Sequence, residues 1–185
     1  MAKKIIILAS GGGTNAENII RYFSETPKIE VHSVLCNKKE AGVYQRAKAL
    51  GVNCLWFDAS TPEALETYLV KHQPDLLVLA GYLRKIPPAI TAAFPDKIIN
   101  IHPSLLPQYG GKGMYGMHVH TAVKNANEQK SGMTIHYVNE HYDEGGIILQ
   151  KEVAIAASDS PSEIAAKVQQ LEYEFFPQVI EQVLR

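Results

Sequence analysis

From residue 3 to residue 102 the chain alternates short apolar, β-branched runs with segments of helical spacing. That alternation admits few folds besides a parallel sheet joined by right-handed crossovers. Lys3 to Ala9 is the first run; Ser10-Gly11-Gly12-Gly13-Thr14-Asn15 follows, and then a helix with Ala16, Ile19, Ile20 and Phe23 on one face. Ile29 to Leu35 is a second strand. Ala41 to Leu50 has helical spacing and stops at Gly51, a residue suited to the position after a helix. Val52 to Phe57 is a third strand. Thr61, with Pro62 just inside and Glu63 and Glu66 in the first turn, caps a helix that reaches about His72. Leu76 to Ala80 is the most uniformly apolar run and reads as a central strand.

Lys97-Ile98-Ile99-Asn100-Ile101-His102 is the next strand, and Pro103 ends its ladder pairing. Asn100 and His102 are two apart, so they share a face at the carboxyl end of the strand, where open α/β sheets bind ligands. The alternative is a strand-end asparagine beside a satisfied histidine. After His102 the pattern changes to a Gly- and Met-rich loop over Pro107 to Met117, a helix from His118 to Asn125, and two strands, Gly132 to Val138 and Ile147 to Ile155. These two lie close enough to pair antiparallel. Pro161 to Arg185 spaces Ile164, Val168, Leu171, Phe175, Val179 and Val183 along one face of a closing helix, which Pro177 should bend. The reading is a single Rossmann-like α/β domain over 1–185, mostly parallel, with an antiparallel strand near the C-terminus.

With 185 residues, 46 % of them hydrophobic, one core of ordinary size is expected. A net charge of -1 from evenly mixed charges gives no footprint for nucleic acid or an anionic membrane. Cys36 and Cys54 form no CxxC pair, and no apolar run approaches the ~20 residues of a membrane span. A cytoplasmic protein follows as the expectation.

The glycine run follows a strand and opens a helix, so its backbone N–H groups and the helix dipole suit a phosphate. A plain tight turn is the alternative. The run also satisfies a loose GxGxxA dinucleotide pattern, but the second strand ends Leu35-Cys36-Asn37-Lys38, without the acid that would hold a ribose. A phosphate monoester therefore fits better than NAD; an NADP site using Lys38 or Lys39 stays open, as does a non-catalytic phosphosugar-binding module. His118-x-His120 has poor spacing for two ligands on one helix face, so no metal is expected. Asp143, in Tyr142-Asp143-Glu144-Gly145-Gly146, is either a turn aspartate or a partner for His102. In the second case it should raise the imidazole's pKa and keep it charged for oxyanion stabilisation. Arg84 stands just past the central strand, at the ligand edge.

Taken together, Ser10 to Asn15, Leu79-Ala80-Gly81-Tyr82-Leu83-Arg84, Asn100 to Pro107, Gly132-Met133-Thr134-Ile135-His136 and Asp143-x-Gly145 resemble, in order and across nearly the whole chain, the phosphoribosylglycinamide formyltransferase family of the formyltransferase superfamily. The resemblance implies transfer of a formyl group from 10-formyltetrahydrofolate, as co-substrate, to the amine of glycinamide ribonucleotide in purine synthesis. It implies no metal and a monomer or homodimer. Carried over residue by residue, Gly12, Gly13, Thr14 and Asn15 would hold the 5′-phosphate and Glu172 the ribose. Leu83, Arg84, Lys85 and Ile86, with Asn100, Asn139 and Glu140, would line the folate site. Asn100, His102 and Asp143 would be the catalytic trio, with residues 1–100 the phosphate-binding half and 101–185 the catalytic and folate-binding half. Three departures stand out. The family's Pro-Gly-x-His segment is here the longer Gly110 to His118, its Asp-x-Gly-Pro ends in Gly146, and an arginine near the third helix is replaced by Thr61-Pro62-Glu63. These imply more mobile loops at the site and one folate contact fewer.

Overall fold

In the computed structural model, which describes residues 2–185, seven strands form one sheet in the order β3-β2-β1-β4-β5-β6-β7. The elements are β1 (Lys3–Ala9), α1 (Thr14–Phe23), β2 (Ile29–Cys36), α2 (Val43–Ala49), β3 (Cys54–Trp56), α3 (Pro62–His72), β4 (Leu76–Leu79), α4 (Pro88–Ala93), β5 (Ile98–His102), α5 (Met117–Asn125), β6 (Lys130–Tyr137), β7 (Ile147–Ala154) and α6 (Pro161–Val183). The apolar run of β4 is the central strand, and every residue in it is buried. Five strands from β3 to β5 pair in parallel, and β6 runs against both its neighbours.

Two differences from the sequence reading are local. The short α4, opening at Pro88, was not expected, because six residues between proline-rich turns carry too little periodicity to read as a helix. Thr61 occupies the cap position of α3 but makes no side-chain cap hydrogen bond. The closing helix runs 23 residues with Pro177 buried inside it, and it starts with a full capping box between Ser160 and Glu163.

Strand order reverses between β1 and β4, which opens a crevice at their carboxyl ends. Period-two alternation then decides what each face sees. On β5, Ile99 and Ile101 join the core under α1 and α6, and Ile98 joins the core under α3 and α4. Asn100 and His102 share the face of Ile98, just where that second core gives way to the crevice. On β6, Met133 and Ile135 enter the first core, which leaves Thr134 and His136 beside the β5 pair, in register His102 with Thr134 and Asn100 with His136.

Candidate active site

The crevice is a single cavity of about 970 Å³. Asn15, Gln169 and Glu172 line one end, Leu83 to Ile86 with Asn139 and Tyr142 the other, and Asn100, His102, His136 and Asp143 the middle. Each end draws on both parts of the chain: α6 completes the first end, and the β4 loop belongs to the second.

At the first end the glycine loop is shaped by Gly13, which caps α1 with φ 78° and would drive a Cβ into Val43. Gly11 and Gly12 face open space. No side chain caps α1, so its first N–H groups stay available to an anion. Asn15 Nδ2 donates to Glu172 Oε2 at 2.8 Å, and Gln169 Nε2 donates to Thr14 Oγ1 at 3.3 Å. Burial pushes the Glu172 carboxyl above its ordinary value, and the Asn15 amide offsets this only in part. Asn37, where a dinucleotide site would place an acid, accepts from Ser10 Oγ at 2.7 Å, and Ser10 Oγ accepts from the Leu83 N–H at 3.0 Å. These bonds tie the two loops at the switch point together.

The middle of the cavity brings the expected trio together. His102 Nδ1 lies 3.6 Å from Asp143 Oδ2, and His136 Nε2 lies 3.6 Å from Asp143 Oδ1. His136 Nδ1 meets the Tyr137 carbonyl at 2.8 Å, so that nitrogen carries the proton, and Nε2 accepts from Asn100 Nδ2 at 3.1 Å. An amide NH₂ has two donors, so Asn100 keeps one for a substrate oxygen. Asp143 reaches the site with φ 56°, a left-handed backbone that aspartate tolerates better than most residues. Its carboxylate also accepts from the Gly111 N–H at 2.9 Å. The glycines of the two flanking motifs are steric necessities. A Cβ at Gly132 would strike the Lys151 carbonyl, and one at Gly145 the Tyr137 carbonyl.

The charge state differs from expectation. Burial is the largest influence on His102; Asp143 and the Tyr109 carbonyl push its pKa up, His136 pushes it down, and the net value lies below the ordinary one. The imidazole is therefore neutral at rest, because a 4 % exposed ring loses more hydration than one carboxylate at 3.6 Å returns. Burial likewise pushes Asp143 up, but His136, His102 and the Gly111 N–H more than offset it, and the carboxyl lies below its usual range. A neutral imidazole beside a carboxylate is a proton acceptor.

Sequence reasoning missed His136 and Thr134 as parts of this site, although the alternation Met133, Thr134, Ile135, His136 carried the signal. Thr134, fully buried, donates to the Ser104 carbonyl at 2.7 Å and accepts from the Leu106 N–H and Gln150 Nε2 at 3.1 and 2.9 Å. It pins the turn that follows His102. Gly12, Gly13 and Thr14 border the cavity without lining it; Glu140 does not line it and lies 3.6 Å from His141 Nε2. Arg84 and Lys85 do line it, and Lys85 Nζ stands 5.9 Å from the Tyr142 ring centroid. Tyr109 and Gly111 anchor the start of the long glycine segment through their bonds to His102 and Asp143. Among the described residues no three His, Cys, Asp or Glu side chains converge as a metal site, and no helix is long and apolar enough to cross a membrane.

A doubly wound sheet whose switch-point cavity holds a carboxamide, an imidazole and a carboxylate is the framework of the formyl transferase family, to which this chain belongs: the family profile matches residues 3–180. Within it, the chain is 36 % identical to phosphoribosylglycinamide formyltransferase of Bacillus subtilis, over 98 % of this chain and 95 % of that one. It is 40 % identical to the chloroplastic phosphoribosylglycinamide formyltransferase of Arabidopsis thaliana over 96 % of its own length, and spans 64 % of that relative. The crystal structure of glycinamide ribonucleotide transformylase 1 from Geobacillus kaustophilus superposes with a TM-score of 0.91 at 30 % identity, covering all of both chains.

Proposed function

We propose that the protein transfers the formyl group of 10-formyltetrahydrofolate to the amine of glycinamide ribonucleotide, a step of purine synthesis. The observation that carries this reading is the continuity of the cavity: one space of about 970 Å³ holds Asn15 and Glu172 beside the opening of α1, Leu83 to Ile86 with Tyr142, and the Asn100, His102 and Asp143 group. Such a shape holds two substrates end to end, and orientation alone supplies much of the acceleration in a bimolecular transfer. Gly12 to Asn15 and the α1 N-terminus take the phosphate, and Glu172 takes the ribose hydroxyls. Leu83 to Ile86, Asn139 and Tyr142 hold the folate. Lys38, the residue an NADP site would use, also lines the cavity, but Asn37 is already committed to Ser10.

In the reaction the amine attacks the formyl carbon, the carbonyl pair moves onto oxygen, and the free N–H of Asn100 receives that oxyanion. The proton leaving the amine passes to His102 Nδ1, and Asp143 stabilises the imidazolium that forms. Collapse of the tetrahedral species returns the electron pair to the carbonyl and expels the folate nitrogen, which takes the proton back. His102 is thus neutral before attack and charged during it, so the anionic transition state meets a cation that the ground state lacks. The enzyme works without a metal, as a cytoplasmic monomer or homodimer. Turnover is followed by folate absorbance with and without glycinamide ribonucleotide. Formyl release that requires the ribonucleotide is expected; release at the same rate without it would identify a hydrolase and overturn the proposal.

A further inference from the structure

Tyr109 is tied down at three points, each by different chemistry. Its ring packs with Met114 against Val119, Val123, Ile155 and Ile164 between α5 and α6. Its hydroxyl donates to Glu128 Oε1 at 2.8 Å, just past the end of α5. Its carbonyl, presented by a left-handed backbone at φ 56°, meets His102 Nε2 at 2.8 Å. A carbonyl only accepts, so Nε2 carries the proton while this contact stands. The nitrogen left to gain and lose a proton is Nδ1, which faces Asp143.

Resting on the transfer reading above, the geometry points to Tyr109 and Glu128 as a positioning pair that fixes the tautomer of His102 and so keeps its basic nitrogen on the Asp143 side. Neither residue lines the cavity, so neither touches substrate; Glu128 acts through Tyr109, and Tyr109 acts through His102. The pair works against a competing pull. Without the carbonyl, the Asp143 carboxylate would draw the neutral ring's single proton to Nδ1, and the amine's proton would find no acceptor there. A misplaced tautomer leaves geometry intact and removes the acceptor, as when the orienting carboxylate of a Ser-His-Asp triad is replaced by an amide. The other titratable groups around His102 are His136 on β6 and His120 on α5, and neither makes a hydrogen bond to its ring nitrogens.

The test is ¹⁵N NMR of histidine-labelled protein, with His102→Gln used to assign the ring. Wild type should show His102 as the Nε2–H tautomer. Tyr109→Phe keeps the ring in its apolar seat and removes only the hydroxyl, and Glu128→Ala removes the acceptor. In both, His102 should shift toward Nδ1–H, with kcat lowered about tenfold or more and both KM values unchanged. Glu128→Gln keeps an amide oxygen for the Tyr109 hydroxyl and should retain wild-type tautomer and rate. The inference is overturned if His102 stays Nε2–H in Tyr109→Phe and Glu128→Ala, or if Glu128→Gln is as impaired as Glu128→Ala. The NMR readout needs no substrate, so it stands or falls separately from the transfer assay.

Discussion

At the scale of single residues the site is a set of compromises between burial and pairing. In the proposed mechanism His102→Ala removes the proton acceptor, and Asp143→Ala removes the charge that stabilises its protonated form. Each should lower kcat by roughly 10²- to 10⁴-fold with substrate affinity largely kept, measured by steady-state turnover and equilibrium titration with the ribonucleotide. Glu172 makes a prediction with a definite sign. Its folded pKa is raised above the ordinary 4.5, so the folded state holds the proton more tightly than the unfolded chain. The stability this represents is present below about pH 4.5 and is lost as pH rises through the folded value. Glu172→Gln should therefore unfold at a higher temperature than wild type at neutral pH and show no advantage at pH 4; calorimetry across that range decides it. That His102 would be buried enough to stay neutral was not legible in the sequence. Its burial depends on a loop that passes over it seven positions later, and local composition says nothing of where that loop returns.

At the scale of elements, alternation and capping did most of the specifying. Period-two patterning puts Asn100 and His102 on one face of β5 and Thr134 and His136 on one face of β6, but it does not bring the two faces together. The antiparallel pairing of β6 and β7 was visible from their spacing, and the pairing of β6 with β5 was not, because nothing in a strand names its second neighbour. Thr134→Val tests how far β6 supports the site. The change keeps shape but strands the Leu106 N–H and the Ser104 carbonyl, and should destabilise the fold by about 1–3 kcal/mol, read by denaturant unfolding. Ser160→Ala dismantles the capping box of α6 and should cost about 1 kcal/mol by the same measurement.

At the scale of the whole molecule, the cavity exists only because elements distant in sequence converge. The start of α1, the β4 turn, the β5 edge, the Gly111 to Met117 segment, the β6–β7 connection and α6 each contribute to its walls. Ligands that span these walls should stabilise them together. Glycinamide ribonucleotide at a hundredfold excess over its Kd should add about 2.7 kcal/mol to unfolding stability. NADP at equal concentration should add none, and protection by the dinucleotide would revive the oxidoreductase reading. The order of strands could be guessed from crossover rules, yet the proximity of Asp143 to His102 could not, since forty residues of intervening chain leave many return paths. One such convergence has a consequence in time. Asn15 is held by Glu172, Thr14 by Gln169 and Asn18 by the Tyr173 carbonyl, so the glycine loop is completed by α6, a helix 155 or more positions further along the chain. A chain still emerging from the ribosome has its glycine turn long before it has a finished pocket, which must wait until α6 clears the exit tunnel.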